Sequence, residues 1–152
     1  MKIDTHDLKR HPSVMILSLY AVLMFSFSAI AEELVDATAA YDTNNVFARI
    51  LRGELPAKIV FENEYALAFH DIRPRANVHI LIIPKGQFTN MMQFNAHAND
   101  MERLGFLDAI SQTAKIMGVD ESGFRLISNT GRDGGQTVAH LHVHLLGGEH
   151  VQ

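Results

Sequence analysis

Gly131-Arg-Asp-Gly-Gly-Gln-Thr-Val-Ala-His-Leu-His-Val-His-Leu-Leu-Gly-Gly148 is the stretch that sets the reading of the whole chain. Within it His140, His142 and His144 alternate with Leu141, Val143 and Leu145. Successive side chains of an extended strand point to opposite faces. The alternation therefore predicts a strand with three imidazoles on one face and three aliphatic side chains turned towards a core. A glycine-rich loop enters the strand and Gly147-Gly148 leaves it. Backbone N–H groups of such a loop can turn inward as an anion nest. Imidazole is also a competent nucleophile. Together these features point to phosphorus chemistry.

A metal centre is the competing reading. On a strand, residues four apart lie roughly 13 Å apart, at about 3.3 Å each. Three rings so spaced converge poorly on one ion with Zn–N bonds of about 2.0–2.1 Å. The chain has no cysteine, and no Asp or Glu lies between His140 and Leu146. No metal ligand and no cofactor is assigned.

Upstream of the loop, Phe124–Asn129 reads as a strand. Before it, Asn99-Asp-Met-Glu102 has the form of a capping box opening a helix that runs to about Met117. Met101, Leu104, Leu107, Ile110, Ala114 and Met117 fall on one stripe of that helix, and Gly118 supplies the stop. Gly105 inside it weakens the helix by roughly 1 kcal/mol relative to alanine and allows close approach by another backbone. Gln87–Ala98 leaves room for a short helix. Val78-His-Ile-Leu-Ile-Ile83 is nearly all apolar, so it reads as a central strand buried on both faces and ended by Pro84. Asp71–Asn77 is a loop, and Lys58–Phe61 and Tyr65–His70 form a hairpin around Glu62-Asn-Glu64. Asp42–Asn45 caps a short helix over Val46–Arg52, with Val46, Phe47, Ile50 and Leu51 as its apolar face and Gly53 as its stop.

Residues 1–31 differ in character. Val14–Ala31 carries no charge, and Ser28-Ala-Ile-Ala31 fits the small-x-small pattern of a secretory cleavage site. A cleaved signal, an uncleaved anchor and an extension upstream of the true start all remain open. Export follows from the first of these. The division is thus a leader at 1–31, a helical or frayed lead-in at 32–43 and one folded domain at 44–150. Five short strands, one long helix and one short early helix make an α+β domain with an antiparallel meander. A domain of roughly this size has a limited core, which dimerisation through the long helix and a strand edge would enlarge. A net charge of −4 without a basic run speaks against duplex nucleic acid as a partner. Membrane association could come only through the leader.

His140-Leu-His-Val-His144-Leu-Leu resembles the His-x-His-x-His-x-x signature of the histidine triad superfamily of nucleotide hydrolases and transferases. Asp133-Gly-Gly-Gln-Thr-Val and Gly147-Gly148 resemble its purine nucleoside phosphoramidase branch, and the resemblance extends from about Tyr41 to Gly148. It implies a homodimer with a continuous sheet of about ten strands, in a family that is generally cytosolic. It also implies that His142 is the nucleophile, forming a nucleotidyl-histidine intermediate that water hydrolyses. His144 and His140 would flank it, with His144 donating to a non-bridging oxygen. His79 matches a fourth histidine at the site edge. Asn129 matches a phosphate-side asparagine, Asp71 a ribose ligand, and Val46, Phe47, Ile72 and Leu81 the walls of a purine slot. The side chains of Gln136 and Thr137 can themselves add donors to phosphate oxygens. The implied substrates are purine nucleoside 5′-phosphoramidates such as AMP joined to an amine. Dinucleoside polyphosphate hydrolysis and a non-catalytic nucleotide-binding scaffold are the alternatives. Asn77 stands where many relatives carry proline, and the chain stops at Gln152, short of the tail that shapes leaving-group preference in some. His70 is given no role.

Overall fold

The computed structural model describes residues 33–151, so the expected leader lies outside the described residues. Helix α1 (Val46–Leu51) starts at Asn45, whose side chain accepts from the N–H groups of Phe47 and Ala48. It stops at Gly53, which has φ +73°, a left-handed conformation that glycine adopts without cost. Strands β1 (Ile59–Glu62), β2 (Ala66–His70) and β3 (Val78–Pro84) follow as antiparallel neighbours. Helices α2 (Met91–His97) and α3 (Asp100–Ile116) then lead to β4 (Phe124–Ile127) and β5 (Val143–Gly147).

The sheet order is β1-β2-β3-β5-β4, antiparallel throughout. The expected meander therefore holds for the first three strands only. The helices carry the chain to the far edge, and β5 returns into the gap beside β3. Burial explains the order. Four of the five β5 residues are buried, whereas β4 exposes three of its four and is suited to an edge.

Strand β3 is buried on both faces, as its unbroken apolar run requires. Ile80 and Ile82 join Phe94, Phe106 and Ala109 under the α2–α3 side. Leu81 and Ile83 join Phe47, Leu67 and Phe69 on the α1 side. Residues of odd number on β3 thus face α1, and that is where His79 and the site lie.

Helix α3 carries the full capping box between Asn99 and Glu102. Its inward face differs from the expected stripe. Phe106, Ala109, Thr113 and Ala114 are buried, while Met101, Leu104 and Leu107 are 57%, 61% and 62% exposed. Apolar residues nearly encircle this helix, so periodicity alone could not choose the face. Gly105 does permit a close approach, but by a side chain. A Cβ there would fall 2.3 Å from Tyr65 Cδ2, and Asn63 Nδ2 donates to the Gly105 carbonyl at 2.9 Å.

The lead-in is neither helical nor frayed. Val35 N–H donates to the Gln136 carbonyl at 2.8 Å, and Asn90 Nδ2 donates to the Ala37 carbonyl at 2.9 Å. Ala37 packs on Gly131, where a Cβ would fall 2.8 Å from its methyl group. The segment is a strap across the back of the glycine loop.

Candidate active site

The ladder of β5 begins at Val143, so His144 alone of the three histidines lies in it. His140 and His142 precede it, where the local bonds are His140 N–H to Val138 O and Leu141 N–H to Phe88 O. The regular strand is thus shorter than expected, but the expected division of faces holds. Leu141, Val143 and Leu145 enter the core under α2–α3. The His142 ring lies 5.1 Å from that of His144 between centroids, and Phe47 stands edge-on to both His140 and His142. His140 is fully buried beside His142. Its Nε2 lies 2.9 Å from the Pro84 carbonyl, which only accepts, so Nε2 carries the proton. Nδ1 then accepts from the Tyr41 hydroxyl at 2.6 Å. Burial pushes the His140 pKa down to about 4, which keeps the ring neutral.

His142 is 5% exposed, and its Nδ1 lies 2.8 Å from the His140 carbonyl. The proton therefore sits on Nδ1 and the Nε2 lone pair is free. Burial also lowers its pKa, so the unprotonated form dominates at neutral pH. A neutral imidazole with its other nitrogen anchored to an acceptor is the form needed for attack on phosphorus. The Phe47 ring stands edge-on at 5.2 Å between centroids.

A second chain of bonds sets His144. The Arg75 backbone N–H donates to His79 Nδ1 at 3.1 Å, which puts the His79 proton on Nε2. That Nε2 lies 2.9 Å from His144 Nδ1, so His144 accepts there and carries its own proton on Nε2. Arg75 Nη2 reaches the same His144 Nδ1 at 3.4 Å. Burial, then the proximity of His142, Arg75 and His79, each of which disfavours a second positive charge there, brings the His144 pKa to about 4 against the pull of Asp71. Burial likewise lowers that of His79, against the pull of Asp71.

Asp71, His79 and His144 offer three ligand atoms within 4.8 Å of one another. Asp71 Oδ2 lies 3.3 Å from His79 Nε2 and 3.8 Å from His144 Nδ1. The spacing suits a small cation, but the proton inventory does not. His79 Nε2 is a donor with no lone pair to give, and the Arg75 guanidinium beside His144 repels a dication. Asp71 Oδ1 meanwhile accepts from the Arg73 N–H at 2.8 Å.

The glycine loop binds largely to itself. Gly135 N–H donates to Arg132 O, Gln136 N–H to Gly131 O, and Gly131 N–H to Gln136 Oε1. The nest expected from these glycines is therefore mostly filled from within. Gly134 is required, because a Cβ would lie 2.4 Å from the Thr130 carbonyl. Gln136 is another correction. Its side chain is fully buried, and Nε2 donates to the Thr89 and Val138 carbonyls at 2.6 and 2.8 Å. It has no N–H left for a phosphate and instead braces the loop. The N–H groups of Thr137, Val138 and Ala139 find no acceptor among the described residues, and neither do the half-buried side chains of Asn129 and Thr137. Phe47 and Leu81 are buried together, while Val46 and Ile72 are 42% and 92% exposed.

The family model described as "HIT domain" matches residues 52–151. The chain belongs to the histidine triad, or HIT, family. An uncharacterised 13.2 kDa HIT-like protein of Azospirillum brasilense is 51% identical over 111 residues, covering 73% of this chain and 91% of that protein. The crystal structure of a HIT family hydrolase from Legionella pneumophila Philadelphia 1 is 40% identical with a TM-score of 0.64, over 72% of this chain and 96% of that one. That of a histidine triad nucleotide-binding protein from Candida albicans is 30% identical with a TM-score of 0.60, over 66% and 72%.

Two residues bonded to the histidines of this HIT protein escaped the sequence reading. Tyr41 stands 99 positions from His140, alone in an irregular segment, and no local pattern marks it. Arg75 sits in the Asp71–Asn77 loop, whose two arginines flank Pro74, a charge pattern that could have drawn attention.

Proposed function

We propose that this HIT protein hydrolyses purine nucleoside 5′-phosphoramidates, releasing a nucleoside monophosphate and an amine. The observation that carries the reading is the His142 tautomer, with Nδ1–H held by the His140 carbonyl at 2.8 Å and Nε2 left free. The Nε2 lone pair attacks phosphorus. The P–N bond breaks with its electron pair on the departing amine nitrogen, which takes up a proton. Water then attacks the same phosphorus and releases one proton to the solvent, the P–Nε2 bond breaks, and the imidazole recovers its lone pair. His144 Nε2–H donates to a non-bridging oxygen, and the donors at Asn129, Thr137 and the 137–139 backbone hold the others. Such donors stabilise charge that develops in the transition state. Asp71 accepts from the ribose hydroxyls, and Val46, Phe47, Ile72 and Leu81 hold the base. The hydrolase and nucleotide-binding names of the Legionella and Candida relatives support the same class.

The working form in this reading is a homodimer. Met101, Leu104 and Leu107 on α3, with Leu126 on the edge strand β4, expose apolar side chains that a second copy would cover. Dinucleoside polyphosphate hydrolysis is the second reading, favoured by Arg75. Its guanidinium lies beside His144 with no carboxylate partner among the described residues, a place for an extra phosphate. Turnover of adenosine 5′-phosphoramidate and of diadenosine tetraphosphate, compared by kcat/KM, tests the proposal. Preference for the phosphoramidate is expected, preference for the tetraphosphate selects the second reading, and turnover of neither refutes both.

A further inference from the structure

The lead-in strap ends on Tyr41, whose hydroxyl meets the buried ring of His140. Three bonds then run in series to the proposed nucleophile. Tyr41 O–H donates to His140 Nδ1 at 2.6 Å, and His140 Nε2–H donates to the Pro84 carbonyl at 2.9 Å. The His140 carbonyl accepts from His142 Nδ1–H at 2.8 Å. The ring of His140 is thus held at both nitrogens, and its backbone carbonyl in turn fixes the tautomer of His142. Tyr41 also stands 5.4 Å from His140 between ring centroids, tilted, so it packs against the ring as well as bonding to it.

The strap itself is anchored independently of Tyr41. Its bonds go to the Gln136 carbonyl and to Asn90, and the Ala37 methyl lies on Gly131. Asn90 and Gln136 are both fully buried. Residues 35–41 therefore approach the site as a fixed element, and the Tyr41 hydroxyl is delivered by a segment that precedes the matched domain.

We propose that Tyr41 is a positioning residue for the triad, setting the His142 tautomer through His140. It touches no reacting atom. This rests on the reading of His142 as nucleophile, but it makes a prediction that needs no substrate. Without the hydroxyl, His140 Nδ1 is a buried acceptor with no donor, and the ring is free to change tautomer or tilt. The carbonyl that holds the His142 proton then loses its fixed place. Partners that orient metal-binding histidines offer a scale for the effect, since their loss costs roughly 10- to 100-fold.

The test is Tyr41→Phe, which keeps the ring and removes only the oxygen. Long-range proton–nitrogen NMR correlations of the histidine rings read the tautomers directly. Wild type should show His142 protonated at Nδ1 and His140 at Nε2, and the variant should show mixed or altered forms of both. With a phosphoramidate substrate, kcat should fall about tenfold or more by the scale above, with AMP affinity within about twofold. Wild type should also show a slowly exchanging Tyr41 hydroxyl proton coupled to His140 Nδ1, a measurement that depends on no variant. Unchanged His142 correlations and an unchanged kcat in a folded variant would overturn the proposal, as would a freely exchanging hydroxyl in wild type. A variant that only melts earlier, with wild-type tautomers and kcat, would reduce Tyr41 to a packing role. Altered tautomers in a protein that turns over no nucleotide would keep the proposal and sink the activity.

Discussion

Burial of His140 ties the stability of the domain to pH. The ring is neutral in the folded protein because burial pushes its pKa from the ordinary 6.5 to about 4. Above pH 6.5 the folded and unfolded chains hold the same proton count at this residue, and stability is at its full value. As the pH falls below 6.5, the unfolded chain takes a proton that the folded one refuses. Stability is then lost progressively, until the folded ring also protonates near pH 4. At about 1.4 kcal/mol per pH unit, the total for this residue is about 3 kcal/mol, of which about 2 kcal/mol is gone at pH 5. Urea unfolding at pH 7 and pH 5, at constant ionic strength, measures the loss in wild type and in His140→Asn. The variant is less stable throughout, because it lacks the Tyr41 and Pro84 bonds as they stand. Its pH dependence should nevertheless be shallower by about 2 kcal/mol over that interval. Equal slopes in the two proteins would mean that His140 protonates in the folded state, and the tautomer assignments built on it would fall.

Gly105→Ala should lower the melting temperature, because overpacking against Tyr65 costs about 1–3 kcal/mol and outweighs a helix-propensity gain of about 1 kcal/mol. A variant as stable as wild type would show that the Tyr65 contact is loose. If Asp71 accepts from ribose, 2′-deoxy substrates should lose about 1–3 kcal/mol of transition-state binding, roughly 5- to 150-fold in kcat/KM. Equal efficiency on both sugars removes Asp71 from the ribose. Leu107→Glu on the exposed face of α3 should convert a dimer into a monomer by light scattering, and wild type that is already monomeric refutes the dimer.

Much of the architecture could be read from the chain because several signals were local. Asn99 and Glu102 mark the start of α3 by their own side-chain chemistry, and Gly53 and Gly118 mark two helix ends. The apolar run of β3 admits burial on both faces and little else. The parts that were not legible depend on distant partners. Which face of α3 turns inward was settled by Phe106 and Ala109 meeting the sheet, while the Met101–Leu104–Leu107 stripe has the same periodicity. The entry of β5 between β3 and β4 follows from relative burial, which alternation does not encode. Within the site, the triad spacing pointed to His142, but only packing separates its role from that of His140. Gln136 likewise reads as a donor in sequence and proves to be a brace, because Thr89 and Val138 take both of its N–H groups.

Capture of the covalent intermediate tests the central claim most directly. Adenosine 5′-phosphoramidate is mixed with enzyme, quenched in alkali within the first turnover and analysed by peptide mass spectrometry. The account predicts an adenylyl group on the peptide containing His142, located at that residue by fragmentation. It predicts no adduct with His142→Ala, whose turnover should fall by several orders of magnitude while AMP still binds. Turnover by His142→Ala within tenfold of wild type, or an adduct on His144 instead, would contradict it.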